Sequence, residues 1–399
     1  MKFLHTSDWH LGKIFYEHSL VEDQKHFLNQ IIEELVCSDK AGTPYDALVV
    51  AGDIYDKAIA SPEAVTLFNE FLNTMHEKFP QLQMFFSAGN HDSATRLSFA
   101  SGLLHSQNIH MATEATRCDV GILTGRGDDA AVVYQIPFLQ MGSLTDSDGT
   151  VLRHQNELLA EACDRIRSAH KKACRTKKIP LVVSAHVFAG SSDLGGSERN
   201  FVGTAEQIDA KLFKAFDYTA LGHIHKSQKI LGEAVRYSGA PLDYNFGEKG
   251  RKVMLSVTVT GEKVDVEEIE FVPLHKVTRL EGTYDDFISG DYVEYKDDYV
   301  ELICTDNLVH ENPMEALRGK FPNILSFRVV RTEAAGQNLA VAERRAALEK
   351  ISGGDYSKIF DLFMNDVYRS KQDELKEDLY KDEKKLFSKI AKEVEASEE

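Results

Sequence analysis

The first 225 residues place aspartate, asparagine and histidine side chains directly after short apolar runs. Such runs are typical of buried strands, and polar residues that follow the carboxyl ends of parallel strands meet at one edge of a sheet. Carboxylate, amide and imidazole groups gathered at such an edge could bind metal ions and transfer protons. The residues concerned are Asp8, His10, Asp53, Asp56, Asn90, His91, His186, His223 and His225.

The candidate metal ligands among these residues are too many for one ion, because a transition metal takes roughly four to six ligands. A carboxylate can bridge two ions about 3.5–4 Å apart, and a mixture of imidazole and oxygen ligands without thiolate suits manganese, iron, zinc or cobalt. We therefore expect two divalent ions. The candidate ligands are Asp8, His10, Asp53, Asn90, His186, His223 and His225.

His91 adjoins the candidate ligand Asn90 in the chain but is not itself expected to bind metal. A hydrolysis reaction at the metals needs a proton for the leaving group, and an imidazole beside the metals could supply it. We assign His91 as general acid, and as phosphate-contact residue where the substrate is a phosphate ester, with Asp56 orienting it through the other ring nitrogen. The alternative is a histidine with a purely structural role.

The elements that must position these side chains form a β-α-β-α-β alternation, followed by strands with tight turns between residues 227 and 272. This order predicts an α/β fold with two facing sheets flanked by helices over residues 1–272. Ser19 and Glu22 have capping-box spacing, and Ser61-Pro62 is a typical helix start. We therefore expect helices from about Ser19 and from Ser61, and a third over residues 94–107.

The sequence after Pro273 differs in composition and predicts further domains. Residues 273–335 read as a small α+β unit, with strands at Lys276–Leu280, Tyr299–Cys304 and Ile324–Val330 and a helix that opens at Pro313. Residues 336–399 read as a linker and charged helices with a narrow apolar stripe. Such helices bury little of their own surface, so they are either a solvated tail or a docking element.

Composition bounds the possibilities without deciding among them. The chain has 399 residues, 43% hydrophobic and 27% charged, and its five cysteines form no C-x-x-C pair, which favours neither disulfides nor structural zinc. It shows no signal peptide and no apolar run near the ~18 residues of a membrane span, so we expect a cytoplasmic protein. The net charge of −17 lowers the expectation of a nucleic-acid partner, but residues 281–311 alone carry ten acidic residues against one lysine. The basic residues between 165 and 178 form either a solvated helix face or a phosphate contact.

Five motifs occur in a fixed order: Asp-x-His at 8, Gly-Asp-x-x-Asp at 52, Gly-Asn-His-Asp at 89, His186 and Gly-His-x-His at 222. This order resembles the calcineurin-like metallophosphoesterase superfamily, whose signature blocks are all matched. The resemblance implies a two-sheet αββα sandwich. It also implies that Asp8, His10, Asp53 and His225 hold one ion and that Asp53, Asn90, His186 and His223 hold the other, with manganese as the expected metal.

The opening residues 1–12, Gly222–His225 and Arg236–Leu242 resemble the nuclease subunits within that superfamily. The resemblance implies a 3′–5′ exonuclease on double-stranded DNA that also cuts single strands and hairpins, in DNA end processing, repair and recombination. It implies a homodimer, within a heterotetramer, through residues 62–78 and 94–107, whose apolar positions could equally be core. It also implies an SbcC-type ATPase as partner. The partner would bind the ATP, because this chain has no phosphate-binding loop. Residues 273–335 would cap the DNA site, and 336–399 would dock on the ATPase.

Two other functions remain open. A stand-alone phosphatase or nucleotidase on the same fold would need neither cap nor charged C-terminal helices. A non-catalytic scaffold would not need the full set of ligands that this sequence retains.

Overall fold

The computed structural model describes residues 1–175, 178–189, 206–248, 250–306, 312–330, 360, 384–387 and 389. The chain divides into two compact units, the first formed by Met1–Cys304 and Val309–Arg328 and the second by Thr305–Leu308 and Val329–Glu399. The predicted linker and C-terminal helices lie almost wholly outside the described residues, and the division into three domains stays a prediction. No helix in the described ranges is long and apolar enough to cross a membrane.

Strands and helices alternate only in the first part of the first unit. The strands are β1 (Lys2–Thr6), β2 (Ile14–Phe15), β3 (His18–Ser19), β4 (Ala47–Val50), β5 (Gln83–Ser87), β6 (Ile109–Ala112), β7 (Ile122–Thr124), β8 (Ala131–Ile136), β9 (Leu181–His186), β10 (Tyr218–Gly222), β11 (Gln228–Lys229), β12 (Val235–Tyr237), β13 (Val253–Val259), β14 (Val264–Glu270), β15 (Val277–Gly282), β16 (Tyr299–Cys304) and β17 (Ile324–Val329). The helices are α1 (Val21–Lys40), α2 (Pro62–Lys78), α3 (Ala94–Leu97), α4 (Ser101–His105), α5 (Gln155–Ala173), α6 (Tyr284–Ser289) and α7 (Pro313–Leu317).

Two large sheets form the frame of this unit. Their strand orders are β14-β13-β1-β4-β5-β6 and β11-β12-β10-β9-β8-β7. In the first sheet β1, β4, β5 and β6 run parallel, and in the second β8, β9, β10 and β12 do. The carboxyl ends of neighbouring strands therefore share an edge in each sheet, which is where the candidate side chains lie.

The central strands of both sheets are buried on both faces, because successive side chains alternate between the faces. Phe3 packs in the core between the sheets with Tyr218, whereas its neighbour Leu4 packs on the outer face with helix residues such as Phe27. A third core covers the outer face of the second sheet and includes Leu158 of α5. The predicted arrangement of two facing sheets flanked by helices is confirmed.

The segment after residue 273 forms a small sheet of order β15-β16-β17 with its own core around Phe287, Leu302 and Phe321. Asp23 of α1 connects this segment to the large sheets. Its buried carboxylate accepts hydrogen bonds from the Tyr299 hydroxyl at 2.8 Å and from the ring of His275 at 2.9 Å. Two bonds to one carboxylate fix the base of the small sheet against α1.

Two predicted helix boundaries are wrong. His18 and Ser19 pair with β2 instead of starting a helix, and α1 begins after Leu20, which makes no side-chain cap. The helix expected over residues 94–107 is broken into α3 and α4 at Ala100, whose φ of 57° is left-handed and interrupts the helical hydrogen bonding. At Ser61, by contrast, the predicted cap is confirmed, since its hydroxyl accepts from the Ala64 amide.

Candidate metal centre

Five strand ends bring the predicted side chains together. Asp8 and His10 follow β1, Asp53 follows β4, Asn90 and His91 follow β5, His186 ends β9, and His223 and His225 follow β10. Among the described residues, three groups have ligand atoms within 4.8 Å of one another: Asp8 with His10 and His225, Asp8 with Asp53 and His186, and His10 with Asp56 and His91. All of these residues are buried except His91 and His225, which are half-buried.

The backbone around the site is held in unusual conformations. Asp8, His10, Asp53 and His223 have φ values of 54°, 45°, 50° and 106°. Non-glycine residues rarely adopt this region, and such strain concentrates at functional sites where surrounding contacts enforce it. Here the contacts include amide hydrogen bonds from Asp8 to the Gly52 carbonyl and from His223 to the Asp8 carboxylate, at 3.0 and 2.9 Å.

Two glycines permit the loops to approach so closely. A Cβ at Gly89 would lie 2.1 Å from Asp53 Oδ1, and one at Gly222 would lie 1.8 Å from the Ala51 carbonyl oxygen. Neither distance is possible for a real side chain. The glycines that open two of the signature motifs are therefore required, because no side chain fits where the ends of β4, β5 and β10 approach one another.

One half of the site is formed by two facing imidazoles. Nε2 of His10 lies 3.1 Å from Nε2 of His225 and 3.6 Å from Asp53 Oδ2. The other nitrogen of His225, Nδ1, contacts the carboxylate of Glu248 at 3.0 Å. A carboxylate accepts hydrogen bonds, so Nδ1 carries the proton, and the Nε2 lone pair of the neutral ring points toward His10.

The other half is formed around the amide oxygen of Asn90. Nε2 of His186 and Nδ1 of His223 lie 2.9 and 3.0 Å from this oxygen, and His186 Nε2 lies 3.4 Å from Asp53 Oδ2. Nδ1 of His186 donates to the Ala51 carbonyl at 2.9 Å. A neutral His186 would thus direct a lone pair at two acceptor oxygens, so a proton or a metal ion must lie between them.

The pKa values of the buried groups also favour a positive charge in the site. Burial alone would raise the pKa of Asp53, but His186, His10 and His91 bring it well below its usual range. Burial likewise opposes the charge on His186, yet Asp53 raises the pKa of His186 to about 9. Burial, aided by His186, lowers the pKa of His223 to about 3. The Asp53 carboxylate thus favours a positive charge at its side, and the clustered donors fit divalent metal ions.

His91 contacts Asp56 through the main chain of that residue. Its Nδ1 donates to the backbone carbonyl of Asp56 at 2.8 Å. The Asp56 carboxylate binds Lys13 at 2.8 Å and lies 3.6 Å from His10 Nδ1. Asp56 therefore orients the His91 ring through its main chain, because the turn after β4 directs its side chain toward Lys13.

Sequence reasoning missed two carboxylates that support the site. Asp92 accepts backbone hydrogen bonds from Ile54, Tyr55 and Gly89 at 3.0, 2.9 and 2.9 Å, and burial, with Asp53, raises the pKa of Asp92 to about 6. It ties the loop that carries Asp53 to the loop that carries Asn90. The other is Glu248 behind His225. Asp92 belongs to the Gly-Asn-His-Asp motif and could have been suspected, whereas no local signal distinguishes Glu248.

The fold and the site define a metal-dependent phosphoesterase. Residues 1–227 match the family described as calcineurin-like phosphoesterase, and the chain belongs to this family. The chain is also similar to the SbcD subunit of the nuclease SbcCD from Staphylococcus saprophyticus, with 28% identity over 375 residues that cover 92% of this chain and 93% of the relative. The protein of the same name from Staphylococcus epidermidis is 28% identical over 82% of this chain and 85% of its own length.

Proposed function

We propose that this chain is the nuclease subunit of a complex that processes DNA ends, hydrolysing phosphodiester bonds with two manganese ions and acting with an SbcC-type ATPase. The observation that carries the proposal is the convergence of side chains from five strand ends on Asp53 and Asn90. The similarity to two SbcD nucleases over most of their length supports the choice of a nuclease within the family.

Seven side chains would hold the metals. Asp8, His10, Asp53 and His225 would hold one ion, and Asp53, Asn90, His186 and His223 the other, with Asp53 shared. Held there, divalent ions would supply positive charge for the phosphate oxygens and lower the pKa of a water near phosphorus. The neighbouring groups of Asp8, His10 and His225 and of Asp8, Asp53 and His186 support two ions rather than one.

His91 would supply the proton for the leaving oxygen. The Asp56 carbonyl accepts from Nδ1 whether the ring is neutral or charged, so this contact holds the ring in place through the proton transfer. Only the imidazolium carries a proton on Nε2 as well, and loss of that proton leaves the neutral ring still bound to Asp56. The centroid of the His91 ring lies 4.8 Å from that of the His10 ring. This position would allow His91 to contact a substrate bound at the metals.

The proposed substrates are ends of double-stranded DNA, degraded 3′–5′, together with single strands and hairpins cut internally. The segment 273–335 would cap the DNA, and residues 336–399 would dock on the ATPase, which alone binds ATP.

Exposed Phe99 and Leu103, at 82% and 75%, support a homodimer contact near α4, while Phe68 and Phe71 of α2 are core. Arg165 and Arg167 pair with Glu161 and Asp164, which favours a solvated face for that part of α5. We place the complex in the cytoplasm.

The test is an assay of the chain co-expressed with an SbcC-type ATPase from the same genome. Linear duplex with free ends, the same duplex with blocked ends and a hairpin are each incubated with manganese, with and without ATP. We expect manganese-dependent degradation from free ends that ATP stimulates, and opening of the hairpin. Turnover of a small phosphomonoester without duplex cleavage would instead indicate a phosphatase or nucleotidase.

A further inference from the structure

A buried carboxylate lies directly behind the candidate ligand His225. Glu248, whose side chain is 3% exposed, contacts His225 Nδ1 through Oε1 at 3.0 Å and Lys252 Nζ through Oε2 at 2.6 Å. Lys252 also lies 3.2 Å from the Asp243 carboxylate. The four residues thus form a row that starts at the metal centre and runs away from it.

Both His225 and Lys252 donate hydrogen bonds to Glu248. The lysine ammonium has only donors, and a ring nitrogen that faces a carboxylate must carry its proton. The residue at position 248 must therefore offer an acceptor on both sides, which a carboxylate does. With the proton fixed on Nδ1, the neutral ring of His225 has its lone pair on Nε2, which faces His10 Nε2 at 3.1 Å.

We propose that Glu248 is a positioning residue that fixes the tautomer and ring orientation of His225 for metal binding, and that Lys252 anchors Glu248. The inference rests on the proposed function, since it takes His225 as a metal ligand. Carboxylates that accept a hydrogen bond from the far nitrogen of a ligating histidine orient the ring and raise its basicity. Glu248 would act through His225, whose Nδ1 it contacts, and not as a ligand or a catalytic residue.

Glu248→Gln tests the need for two acceptors. An amide has one acceptor oxygen and one donor nitrogen, so it mismatches either His225 or the ammonium of Lys252. Placing the amide nitrogen against a buried ammonium costs more, so we expect Gln to turn its oxygen to Lys252 and its nitrogen to His225. That choice forces the proton of His225 onto Nε2 and should weaken binding of one ion about 10- to 100-fold.

Lys252→Met combined with Glu248→Gln should restore the native tautomer, because the amide oxygen can then face His225. A matched double variant, Glu248→Met with Lys252→Met, also lacks the lysine but offers no acceptor and should bind the ion weakly. These two doubles carry the same charge and differ only at position 248, where one has an amide and the other a thioether, so they decide the question even if the single variant fails to fold. Glu270→Gln, at an exposed position on β14, is the control.

Two readouts on the full-length chain measure these effects. Titration calorimetry gives the number and affinity of manganese ions, and nitrogen NMR of labelled histidine in metal-free protein reports which ring nitrogen carries the proton. We expect the wild type, Glu270→Gln and the Gln–Met double to agree, and the other two variants to lose affinity for one ion and the native tautomer. If the Met–Met double binds two ions with unchanged affinity, the proposed role of Glu248 is wrong, but the proposed function of the chain is not affected. A wild-type chain that binds no manganese would overturn the proposed function and this inference with it.

Discussion

Gly89→Ala is the substitution whose effect follows most directly from the geometry of the site. The added Cβ would lie 2.1 Å from Asp53 Oδ1 and 2.3 Å from the Asp53 amide nitrogen, where an ordinary contact begins at 3.4 Å. Asp53 is 2% exposed and cannot turn away. The carboxylate proposed to bridge both ions must therefore shift by roughly 1 Å, and overpacking of this kind costs about 1–3 kcal/mol of stability.

A displacement of this size should be far more damaging to activity than to folding. Misplacing a catalytic group by about 1 Å can lower a rate about 100-fold, and we expect at least that loss of manganese-dependent hydrolysis. Both ions should bind more weakly, because both depend on Asp53. The assays are manganese titration, urea unfolding and cleavage of linear duplex, with Gly261→Ala as control, since a Cβ there meets nothing within 4 Å. A Gly89→Ala protein that binds two ions and cleaves DNA like the wild type would refute this account of the site.

Three further predictions concern single side chains. His91→Ala should keep both metals but lose about 10²–10⁴-fold in hydrolysis, measured by manganese titration beside the DNA assay; full activity would exclude the general-acid role. Tyr299→Phe removes a hydroxyl bonded to buried Asp23 and should cost about 1–3 kcal/mol, read as faster amide exchange in β15 and β16; unchanged exchange would show that this contact does not hold the small sheet. Burial, aided by His105, lowers the pKa of His110 from 6.5 to about 4, so the unfolded chain binds the extra proton between these pH values. Stability should be full above pH 6.5 and fall toward pH 4, by about 1–2 kcal/mol after solvent screening, and His110→Gln should flatten urea midpoints over this range.

The fold and the cluster could be predicted because both depend on local patterns. Short apolar runs such as Ala47–Val50 favour buried strands, and the residues that follow parallel strands lie at one edge of a sheet. Helix boundaries were less predictable. Ser19 has a good capping sequence, but pairing of His18 and Ser19 with β2 overrides that local preference. The left-handed Ala100 that divides α3 from α4 carries no sequence signal at all.

The contacts behind the cluster could not be predicted, since they join residues far apart in the chain. Glu248 is 23 residues from His225 and lies outside any strand or helix, so only the folded chain identifies its partners. For His91 the sequence indicated the partner residue, Asp56, but not the group that makes the contact. Asp56 reaches His91 with its carbonyl, because its carboxylate is paired with Lys13. Sequence indicates which residues meet, but not which of their atoms.

The central claim is that one pocket holds two ions on either side of Asp53. Crystals of the full-length chain soaked in manganese and measured at the manganese absorption edge test it directly. We expect two anomalous peaks about 3.5–4 Å apart with the Asp53 carboxylate between them, and neither peak in an Asp53→Asn variant. A single peak, or peaks that leave Asp53 without a metal contact, would contradict the account.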